Sequence, residues 1–381
     1  MAIFPFEISA AEGAARTGRL GTPRGDIRTP AFMPVGTAGT VKALYMDQVA
    51  SAGADIILGN TYHLMLRPGA ERVKKLGGLH AFAKWSGPML TDSGGFQVWS
   101  LAQLRKMDAD GVTFQSHIDG STHRLTPARS IEIQADLLGA DISMQLDECT
   151  NFPCTAQEAE RSLELSLSWG QRSLEAFGDR KVQTLFGIVQ GSNFPALRER
   201  SAKGVIAQGF GGIALGGLAV GEGHQKMCDT IDFTVPHLPA HLPRYVMGVG
   251  KPIDLVESVA RGIDMFDCVL PTRSGRHGQA WTWDGPVNVT NAKFAEDLSP
   301  LDSAVDCPAS RDFSRAYLHH LFKAGEYLGP MVLSWHNTAF FQALMAEIRA
   351  AIAEGRFEAL RARLSSAWAG TRSAPKEGPE A

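Results

Sequence analysis

Short apolar runs that end in a polar residue or a glycine recur along the chain. Several are apolar at consecutive positions, which is typical of strands buried on both faces. Their spacing of roughly 20 to 55 residues fits βα units of about 30 residues with a few insertions. The candidate strands end at Asn60, Asp92, Asp147, Gln190, Gly217, Met247 and Asp267.

Amphipathic segments between these runs predict helices at residues 130–138, 195–208 and 253–261. Repeated βα units favour an α/β fold of the (β/α)8 TIM barrel type, with a doubly wound parallel sheet as the alternative. The polar residues at the strand ends favour the barrel, because a barrel gathers all of them at one rim. We therefore expect a site at the carboxyl ends of the barrel strands.

Two segments depart from the βα pattern and predict inserted β-hairpins. Residues 112–124 contain Asp119-Gly120, and residues 280–289 contain Asp284-Gly285. Asp-Gly pairs favour the tight turns that join antiparallel strands.

Beyond residue 298 the chain changes character. Helices are predicted at residues 313–324 and 337–354, and the second has one apolar face. We expect a catalytic barrel with an N-terminal β segment at residues 1–298 and a small helical C-terminal subdomain packed on it at residues 299–368. The polar, proline-containing segment 369–381 is predicted to be a disordered tail.

Charge and cysteine content limit the class of protein. The formal net charge is -3, which excludes a generally basic nucleic-acid coater, so any RNA site must be a local basic patch. The five cysteines are scattered, which favours a reducing compartment over a disulfide scaffold. We find no signal peptide and no apolar run near the roughly 20 residues needed to span a bilayer. The expected location is cytoplasmic, with no membrane partner.

Two aspartates carry the candidate chemistry. Asp92 precedes a Ser-Gly-Gly loop, and Asp267 precedes a segment that contains Arg273 and Arg276. Two carboxylates in one cleft are the usual equipment for chemistry at the anomeric carbon of a sugar. The arginine pair suggests that the sugar belongs to a nucleic acid. A lone aspartate after a strand is about as often a capped or salt-bridged residue, so the residue pattern alone leaves both interpretations open.

An ordered set of motifs spans roughly residues 5 to 368. Its members are RTPAFMPVGT at 28–37, GNTYHL at 59–64, DSGGFQ at 92–97, DECT at 147–150, GGLAVGE at 216–222, MGVGKP at 247–252 and GIDMFDCVLPTRSGR at 262–276. The set resembles the bacterial tRNA-guanine transglycosylases, the enzymes of queuosine biosynthesis. The resemblance implies a (β/α)8 barrel with a small zinc-bearing subdomain, usually a homodimer. It also implies exchange of guanine at tRNA wobble position 34 for a 7-deazaguanine base.

The resemblance assigns roles to both aspartates. Asp267 is the expected nucleophile, which attacks C1′ of the ribose and gives a covalent enzyme–RNA intermediate. Asp92 is the expected proton acceptor, which takes the N9 proton of the incoming base. The implied base-binding residues are Asp92, Ser93, Gly94, Gly95, Phe96, Asp147, Gln190, Gly217 and Leu218.

The resemblance also implies the substrates. The incoming base is 7-aminomethyl-7-deazaguanine (preQ1), and the RNA is the anticodon loop with a uracil-guanine-uracil core, as in the tRNAs for Asp, Asn, His and Tyr. The implied RNA-binding residues are Gly248, Val249, Gly250, Lys251, Pro252, Ile253, Asp254, Thr272, Arg273, Ser274, Gly275 and Arg276.

The family's zinc motif is degenerate in this chain. Its four positions are Val305, Cys307, Ser310 and His336, of which only Cys307 and His336 keep metal-ligating side chains. Structural zinc normally has four N or S ligands. We expect no cofactor to be needed for the chemistry and the family's structural zinc to bind weakly or not at all.

Two other functions compete with this one. A catalytically silent tRNA-binding subunit of the same family would be expected to lose an active-site carboxylate, whereas Asp92 and Asp267 both remain. An unrelated barrel hydrolase with paired carboxylates would not account for the guanine-pocket and anticodon-loop motifs.

Overall fold

A computed structural model describes residues 3–101 and 104–369 of the chain. The strands are β1 (Phe6–Glu12), β2 (Ala15–Thr22), β3 (Gly25–Thr29), β4 (Ala31–Gly36), β5 (Ile57–Gly59), β6 (Met89–Thr91), β7 (Arg105–Asp108), β8 (Gly111–Gln115), β9 (Thr122–Leu125), β10 (Ile142–Met144), β11 (Thr184–Val189), β12 (Gly212–Leu215), β13 (Arg244–Val246), β14 (Met265–Cys268), β15 (Gln279–Thr282) and β16 (Gly285–Asn288).

The α-helices are α1 (Met46–Ser51), α2 (Thr61–Leu66), α3 (Ala70–Lys75), α4 (Gly78–Ala83), α5 (Gly95–Leu101), α6 (Pro127–Ile131), α7 (Ala156–Phe177), α8 (Pro195–Gln208), α9 (His224–Thr234), α10 (Pro252–Ala260), α11 (Leu270–Arg276), α12 (Pro308–Arg311), α13 (Arg315–Ala324), α14 (Leu328–Ala353) and α15 (Phe357–Ala367). A π-helical segment, Glu132–Leu138, continues α6, and short 3-10 turns occupy Val235–His237 and Ala292–Phe294.

Within the described residues, eight parallel strands close into a barrel in the order β4, β5, β6, β10, β11, β12, β13, β14. The last strand pairs with the first, with Met265 opposite Ala31 and Cys268 opposite Pro34. A closed barrel has no edge strand, so the doubly wound sheet is excluded and the predicted (β/α)8 fold is confirmed. Apolar side chains such as Met33, Ile188 and Met265 fill its interior.

The sequence pattern predicts seven of the barrel strands and misses β4. Pro34 lies within this strand and cannot donate a backbone hydrogen bond, and such a residue normally argues against a central strand. β4 nevertheless pairs on both sides, with β14 and with β5. The neighbouring strands therefore determine the conformation of this segment.

The predicted helices are present with small differences in extent. Residues 195–208 match α8, and α10 is displaced by one residue from the predicted 253–261. The predicted 337–354 helix is part of α14, which begins earlier, at Leu328. Pro330 lies in its first turn, where the missing N–H interrupts no helical hydrogen bond.

Both predicted hairpins form. β15 and β16 pair around Asp284-Gly285, and β8 and β9 flank the turn at Asp119-Gly120. The β8–β9 hairpin is extended to a three-stranded sheet, because β7 pairs with β8 in antiparallel fashion. At the amino end, β1, β2 and β3 form a separate antiparallel sheet.

Helix α14 packs on the outside of the barrel at β4. The ring centroids of Phe341 and Phe32 are 4.8 Å apart, and Gln342 Nε2 donates a hydrogen bond to the Phe32 carbonyl (3.0 Å). Arg349 Nη1 donates to the carbonyl of Pro30 (2.8 Å). The residues after 298 thus share a core with the barrel, and the boundary at 298/299 stays a prediction.

No helix among the described residues is both long enough and apolar enough to cross a bilayer. Residues 370–381, which make up nearly all of the predicted tail, lie outside the described residues.

Candidate active site

The predicted site residues gather at the carboxyl end of the barrel. Asp92 directly follows β6, and Gln190 directly follows β11. Asp147 lies in the loop after β10, and Asp267 lies near the end of β14. Adjacent parallel strands in a closed barrel bring these positions to one rim.

Asp92 is a buried carboxylate held by the loop after β5. Its Oδ2 accepts a hydrogen bond from Asn60 Nδ2, and its Oδ1 accepts one from the Thr61 backbone N–H (2.7 Å). The Thr61 hydroxyl donates to the Asp92 carbonyl (2.5 Å). Burial raises the pKa of Asp92 to about 6, against the lowering effect of these bonds. A carboxyl whose pKa lies close to neutral is suited to accept and return a proton.

Asp267 is partly buried and is fixed through one oxygen only. Tyr245 Oη donates to Oδ1 (2.5 Å), as does the backbone N–H of Gly248 (2.9 Å). Among the described residues no group donates to Oδ2, so this oxygen is available for attack on a carbon atom. Desolvation raises the pKa of Asp267, while its two hydrogen bonds lower it.

The two aspartates share one electrostatic environment. The charge of Asp267 contributes to the raised pKa of Asp92. Both carboxylates also help to raise the pKa of Tyr245 well above its ordinary value, after burial as the main cause. Tyr245 therefore remains a neutral hydroxyl that can donate its hydrogen bond to Asp267.

A second buried carboxylate, Asp147, lies in a polar pocket beside these acids. Gln190 Nε2 donates to its Oδ2 (2.7 Å), and Ser93 Oγ donates to its Oδ1 (3.4 Å). Burial raises the pKa of Asp147 to about 6. A Cβ atom on Gly217 would lie 2.9 Å from Gln190 Oε1, and one on Gly216 would lie 2.5 Å from Nε2. Only glycines let this loop lie directly against the Gln190 amide.

In the segment after Asp92, two glycines let the backbone pack closely against neighbouring segments, and Phe96 places an exposed aromatic ring beside them. Gly94 has a φ of 84°, in the left-handed region. A Cβ atom on Gly95 would lie 2.8 Å from the Asp147 carbonyl oxygen. Phe96, in the first turn of α5, is exposed, and its ring centroid lies 5.4 Å from that of Trp99. An exposed ring next to buried polar groups can stack on a flat ligand.

The loop after β12 is stabilised by a carboxylate of its own. Glu222 accepts hydrogen bonds from the backbone N–H groups of Ala219 (2.6 Å) and Val220 (2.9 Å). Leu218, just before them, is buried, whereas Ala219 is exposed with a φ of 59°. Both carboxylate oxygens of Glu222 are therefore engaged in shaping the loop.

The predicted RNA-binding residues divide into accessible and buried groups. Accessible or partly accessible are Gly248, Lys251, Asp254, Arg273 and Arg276. Buried are Val249, Gly250, Pro252, Ile253, Thr272, Ser274 and Gly275. Gly275 faces α14, because a Cβ atom there would lie 2.6 Å from the Ser334 backbone nitrogen.

A basic cavity adjoins this segment. It has a volume of about 340 Å³ and is lined by Lys42, Arg273 and Arg276, together with Val269 two residues beyond the nucleophile candidate. Desolvation and the charge of Arg276 lower the pKa of Lys42. Three cations around one opening are suited to bind a phosphate.

Similarity to known proteins agrees with this geometry. Residues 11–370 match the family model described as queuine tRNA-ribosyltransferase. The chain is 68% identical over 361 residues to the queuine tRNA-ribosyltransferase of Caulobacter vibrioides, covering 95% of this chain and 97% of that protein. It is 61% identical over 366 residues to the protein of the same name in Brucella melitensis, covering 96% and 97%. The chain belongs to the queuine tRNA-ribosyltransferase family.

A further relative of the same name, from Zymomonas mobilis, is 61% identical over 358 residues, which cover 93% of this chain and 92% of that protein. The resemblance inferred from the motifs is thus confirmed at the level of the family.

The region of the family's zinc motif does not fit a zinc ion in this chain. Val305 is an apolar core residue. The Ser310 hydroxyl bonds His336 Nδ1 (2.8 Å), and His336 Nε2 bonds the Trp281 carbonyl (2.9 Å). Burial lowers the pKa of His336 to about 4, so its neutral ring has both nitrogens engaged. Cys307 is the remaining thiol, and burial raises its pKa.

Across residues 3–101 and 104–369, no group of three or more His, Cys, Asp or Glu side chains is arranged to hold a metal ion.

Sequence reasoning missed the residues that orient the acids of this family member. They are Asn60 and Thr61 for Asp92, Tyr245 for Asp267, and Lys42 in the basic cavity. Asn60 carries a strand-end signal, but its partner 32 residues away is not visible in the sequence. Tyr245 interrupts a buried strand with a hydroxyl group, which needs a partner when buried. A tyrosine within a buried apolar run therefore indicates that its hydroxyl group bonds a polar residue of a neighbouring segment.

Proposed function

We propose that this chain is a tRNA-guanine transglycosylase that exchanges guanine 34 of GUN-anticodon tRNAs for preQ1 through a covalent intermediate. The observation that carries the proposal is the arrangement of Asp92 and Asp267 at one rim, beside a pocket built from Asp147 and Gln190. Acids of this kind suit glycosidic chemistry, and the pocket suits a guanine edge.

The first half of the reaction forms the intermediate. The free Oδ2 of Asp267 attacks C1′ of nucleotide 34, the C1′–N9 bond breaks, and its electron pair goes to the departing guanine. Tyr245 and Gly248 hold Oδ1, so that the attacking oxygen keeps its orientation. Asp92, when protonated, returns a proton to N9 of the departing base.

The second half reverses these steps with a new base. Ionised Asp92 takes the N9 proton of the incoming base, N9 bonds to C1′, and the ester bond to Asp267 breaks. The carboxylate of Asp267 is restored and no cofactor is consumed. Because carbon replaces N7, the incorporated 7-deazaguanine cannot be protonated there and leaves less readily than guanine.

Base selection follows from the pocket. Ionised Asp147 accepts from N1–H and the exocyclic amine of guanine, while Gln190 and the Gly217 N–H donate to O6. Adenine would leave these buried groups without partners, which disfavours it strongly. The Leu218 carbonyl is the proposed acceptor for the aminomethyl group of preQ1, in a loop shaped by Glu222.

The RNA is proposed to bind through the accessible residues. Arg273 and Arg276, with Lys42, are placed to neutralise a phosphate beside nucleotide 34, and Lys251 adds a cation. The buried members of the two predicted segments would position this surface rather than contact RNA. Nucleotide 34 must leave its stack to reach the pocket, as in other enzymes that act on a base.

A homodimer and a cytoplasmic location are proposed from the family and from the predictions above. Mass determination in solution tests the first.

The exchange of labelled guanine into unmodified tRNA transcripts tests the function. We expect incorporation into tRNA(Asp) with guanine at position 34 and none into a matched transcript with adenine there. Binding of tRNA without incorporation would favour the non-catalytic subunit instead.

Exchange is expected to depend steeply on pH below neutrality. Burial raises the pKa values of Asp92 and Asp147 to about 6. Asp92 must be ionised to take the N9 proton of the incoming base, and Asp147 must be ionised to accept the hydrogen bonds of its N1–H and exocyclic amine. The ionised fraction of each falls as pH decreases through 6, so kcat/KM for the base should fall by about 10- to 100-fold per pH unit well below it. A profile for labelled guanine between pH 4.5 and 8 measures this. A flat profile over that range would contradict the assignment of both carboxyls.

The wild-type protein is expected to hold little zinc. Metal analysis after purification in zinc-containing medium should give well under one zinc per chain, with a melting temperature unchanged by chelator. The double substitution Val305→Cys/Ser310→Cys supplies the missing thiols beside Cys307 and His336 and should raise zinc content towards one per chain. One tightly held zinc in the wild-type protein would refute the prediction.

A further inference from the structure

Arg198 is a fully buried arginine in the first turn of α8. Its relative exposure is 0%. Nε donates to the Ser192 carbonyl (2.6 Å), and Nη1 donates to the Val189 carbonyl (3.0 Å). The third nitrogen, Nη2, is buried and has no hydrogen-bond partner among the described residues.

The unpartnered nitrogen lies behind the base pocket. Arg198 Nη2 is 3.5 Å from the position that a Cβ atom on Gly217 would take, and Gln190 Oε1 is 2.9 Å from the same position. Gln190 Oε1 is also buried without a partner among the described residues. The guanidinium and the Gln190 amide therefore both lie beside Gly217, and Gln190 and Gly217 are the groups to which the proposed function assigns the O6 edge of guanine.

The positive charge at this position has no direct counterion. The hydrogen bonds of Arg198 go to backbone carbonyls, and within the described chain no carboxylate lies within salt-bridge distance. Burial lowers the pKa of Arg198 to about 10, against the raising effect of nearby Cys149 and Glu222, so the group stays cationic at neutral pH. A buried, unpaired charge destabilises a fold, and an apolar side chain would avoid that cost.

The positive charge of Arg198 can be explained by the negative charge that develops on the departing base. When the C1′–N9 bond breaks, the electron pair passes to the purine, and the negative charge spreads over the ring to O6. A fixed cation in a water-excluded site stabilises charge that develops in the transition state. We propose that Arg198 is a positioning residue that presents positive charge to the O6 edge through Gln190 and Gly217 and so lowers the barrier to base departure.

This inference rests on the proposed function, and a purely structural role for Arg198 is the competing interpretation. The two bonds to Val189 and Ser192 also tie the loop after β11 to α8. A structural role predicts that any substitution lowers stability and activity together. The charge role predicts that a variant with a positive charge at position 198 stays active and a neutral variant does not, whatever their melting temperatures.

Arg198→Lys and Arg198→Gln separate these roles. Lysine keeps the charge, and glutamine keeps an amide donor but is neutral. Arg200→Gln is the matched control, because Arg200 lies on the same helix but is exposed and pairs with Glu160 and Glu164. The measurements are kcat and KM for labelled guanine, single-turnover adduct formation, and the melting temperature.

The lysine variant is expected to stay within about fivefold of wild-type kcat, and the glutamine variant to fall about 10- to 100-fold below it, with KM for guanine changed less than about threefold. A glutamine variant less than about tenfold slower than the lysine variant would overturn the proposal. If the glutamine variant does not fold, the lysine variant decides alone, since a loss greater than about fivefold contradicts the charge role.

Exchange by the wild-type protein and by Arg200→Gln separates this inference from the proposed function. If neither exchanges guanine, the function fails and this inference fails with it. If both do and the Arg198 variants do not differ as stated, only the inference fails.

Discussion

Replacing Asp267 with asparagine is expected to lower guanine exchange by about 10⁴-fold or more, with the fold intact. The amide cannot form the ester with C1′, so no covalent intermediate can accumulate. The asparagine carbonyl can still accept the hydrogen bonds that Tyr245 and Gly248 donate to Oδ1. Labelled-guanine incorporation and denaturing gels of the RNA adduct measure the two losses.

Asp264, three residues earlier, provides the contrast for this experiment. It is fully buried and accepts hydrogen bonds from Arg16 Nε (2.8 Å) and Nη2 (2.5 Å) and from the Arg244 backbone N–H (2.7 Å). Asp264→Asn breaks a buried ion pair and is expected to lower the free energy of unfolding by about 3 kcal/mol. The folded fraction should still form the adduct. An Asp267→Asn enzyme that keeps forming adduct would remove Asp267 from the role of nucleophile.

Replacing Asp92 with asparagine is expected to lower exchange by about 10²- to 10⁴-fold while leaving the adduct detectable. Asparagine cannot take the N9 proton of the incoming base or return one to the departing base. Asp267 remains able to attack C1′, so adduct should form slowly and persist. This differs from Asp267→Asn, for which no adduct is expected at any time.

Asp119→Asn is the matched control for that variant. It makes the same chemical change in the exposed turn between β8 and β9 and should leave exchange unchanged. An Asp92→Asn enzyme within about threefold of wild type would show that another group moves the N9 proton. Complete loss of adduct would instead show that Asp92 is needed for attack by Asp267.

The sequence predicts those parts of the fold that local patterns determine. Helix α8 matches its predicted bounds because Pro195 starts it and Gly209, in the left-handed region, ends it. β4 is missed because Pro34 argues against a central strand. Pairing with β5 and β14 outweighs this local signal, and no local signal reports that pairing.

In the candidate site, too, local sequence patterns predict some features, and contacts between distant segments determine the others. Strand-end position identifies Asp92, Asp147 and Gln190 as polar groups of one rim, since a barrel brings strand ends together. Their orientation depends on contacts between distant segments. The bond from Tyr245 to Asp267 is not visible in the sequence, although the two residues lie on adjacent strands.

In the zinc-motif region the sequence likewise predicts the chemistry of single residues but not the contacts between segments. The side chains at Val305 and Ser310 already argue against a zinc site from their chemistry alone. What replaces the metal, a hydrogen-bonded chain from Ser310 through His336 to the Trp281 carbonyl, requires the hairpin β15–β16 to lie beside α14. Only the folded chain brings these segments together.

The site at which the RNA becomes attached to the protein decides whether Asp267 is the nucleophile. The enzyme would be incubated with unmodified tRNA(Asp) or its anticodon stem-loop without free base, denatured, digested and analysed by mass spectrometry. We predict one peptide that carries the RNA ribose at C1′, esterified to the Asp267 carboxyl. An ester on Asp92, on Asp147 or on any other residue, or exchange that proceeds without a covalent species, would rule out Asp267 as the nucleophile.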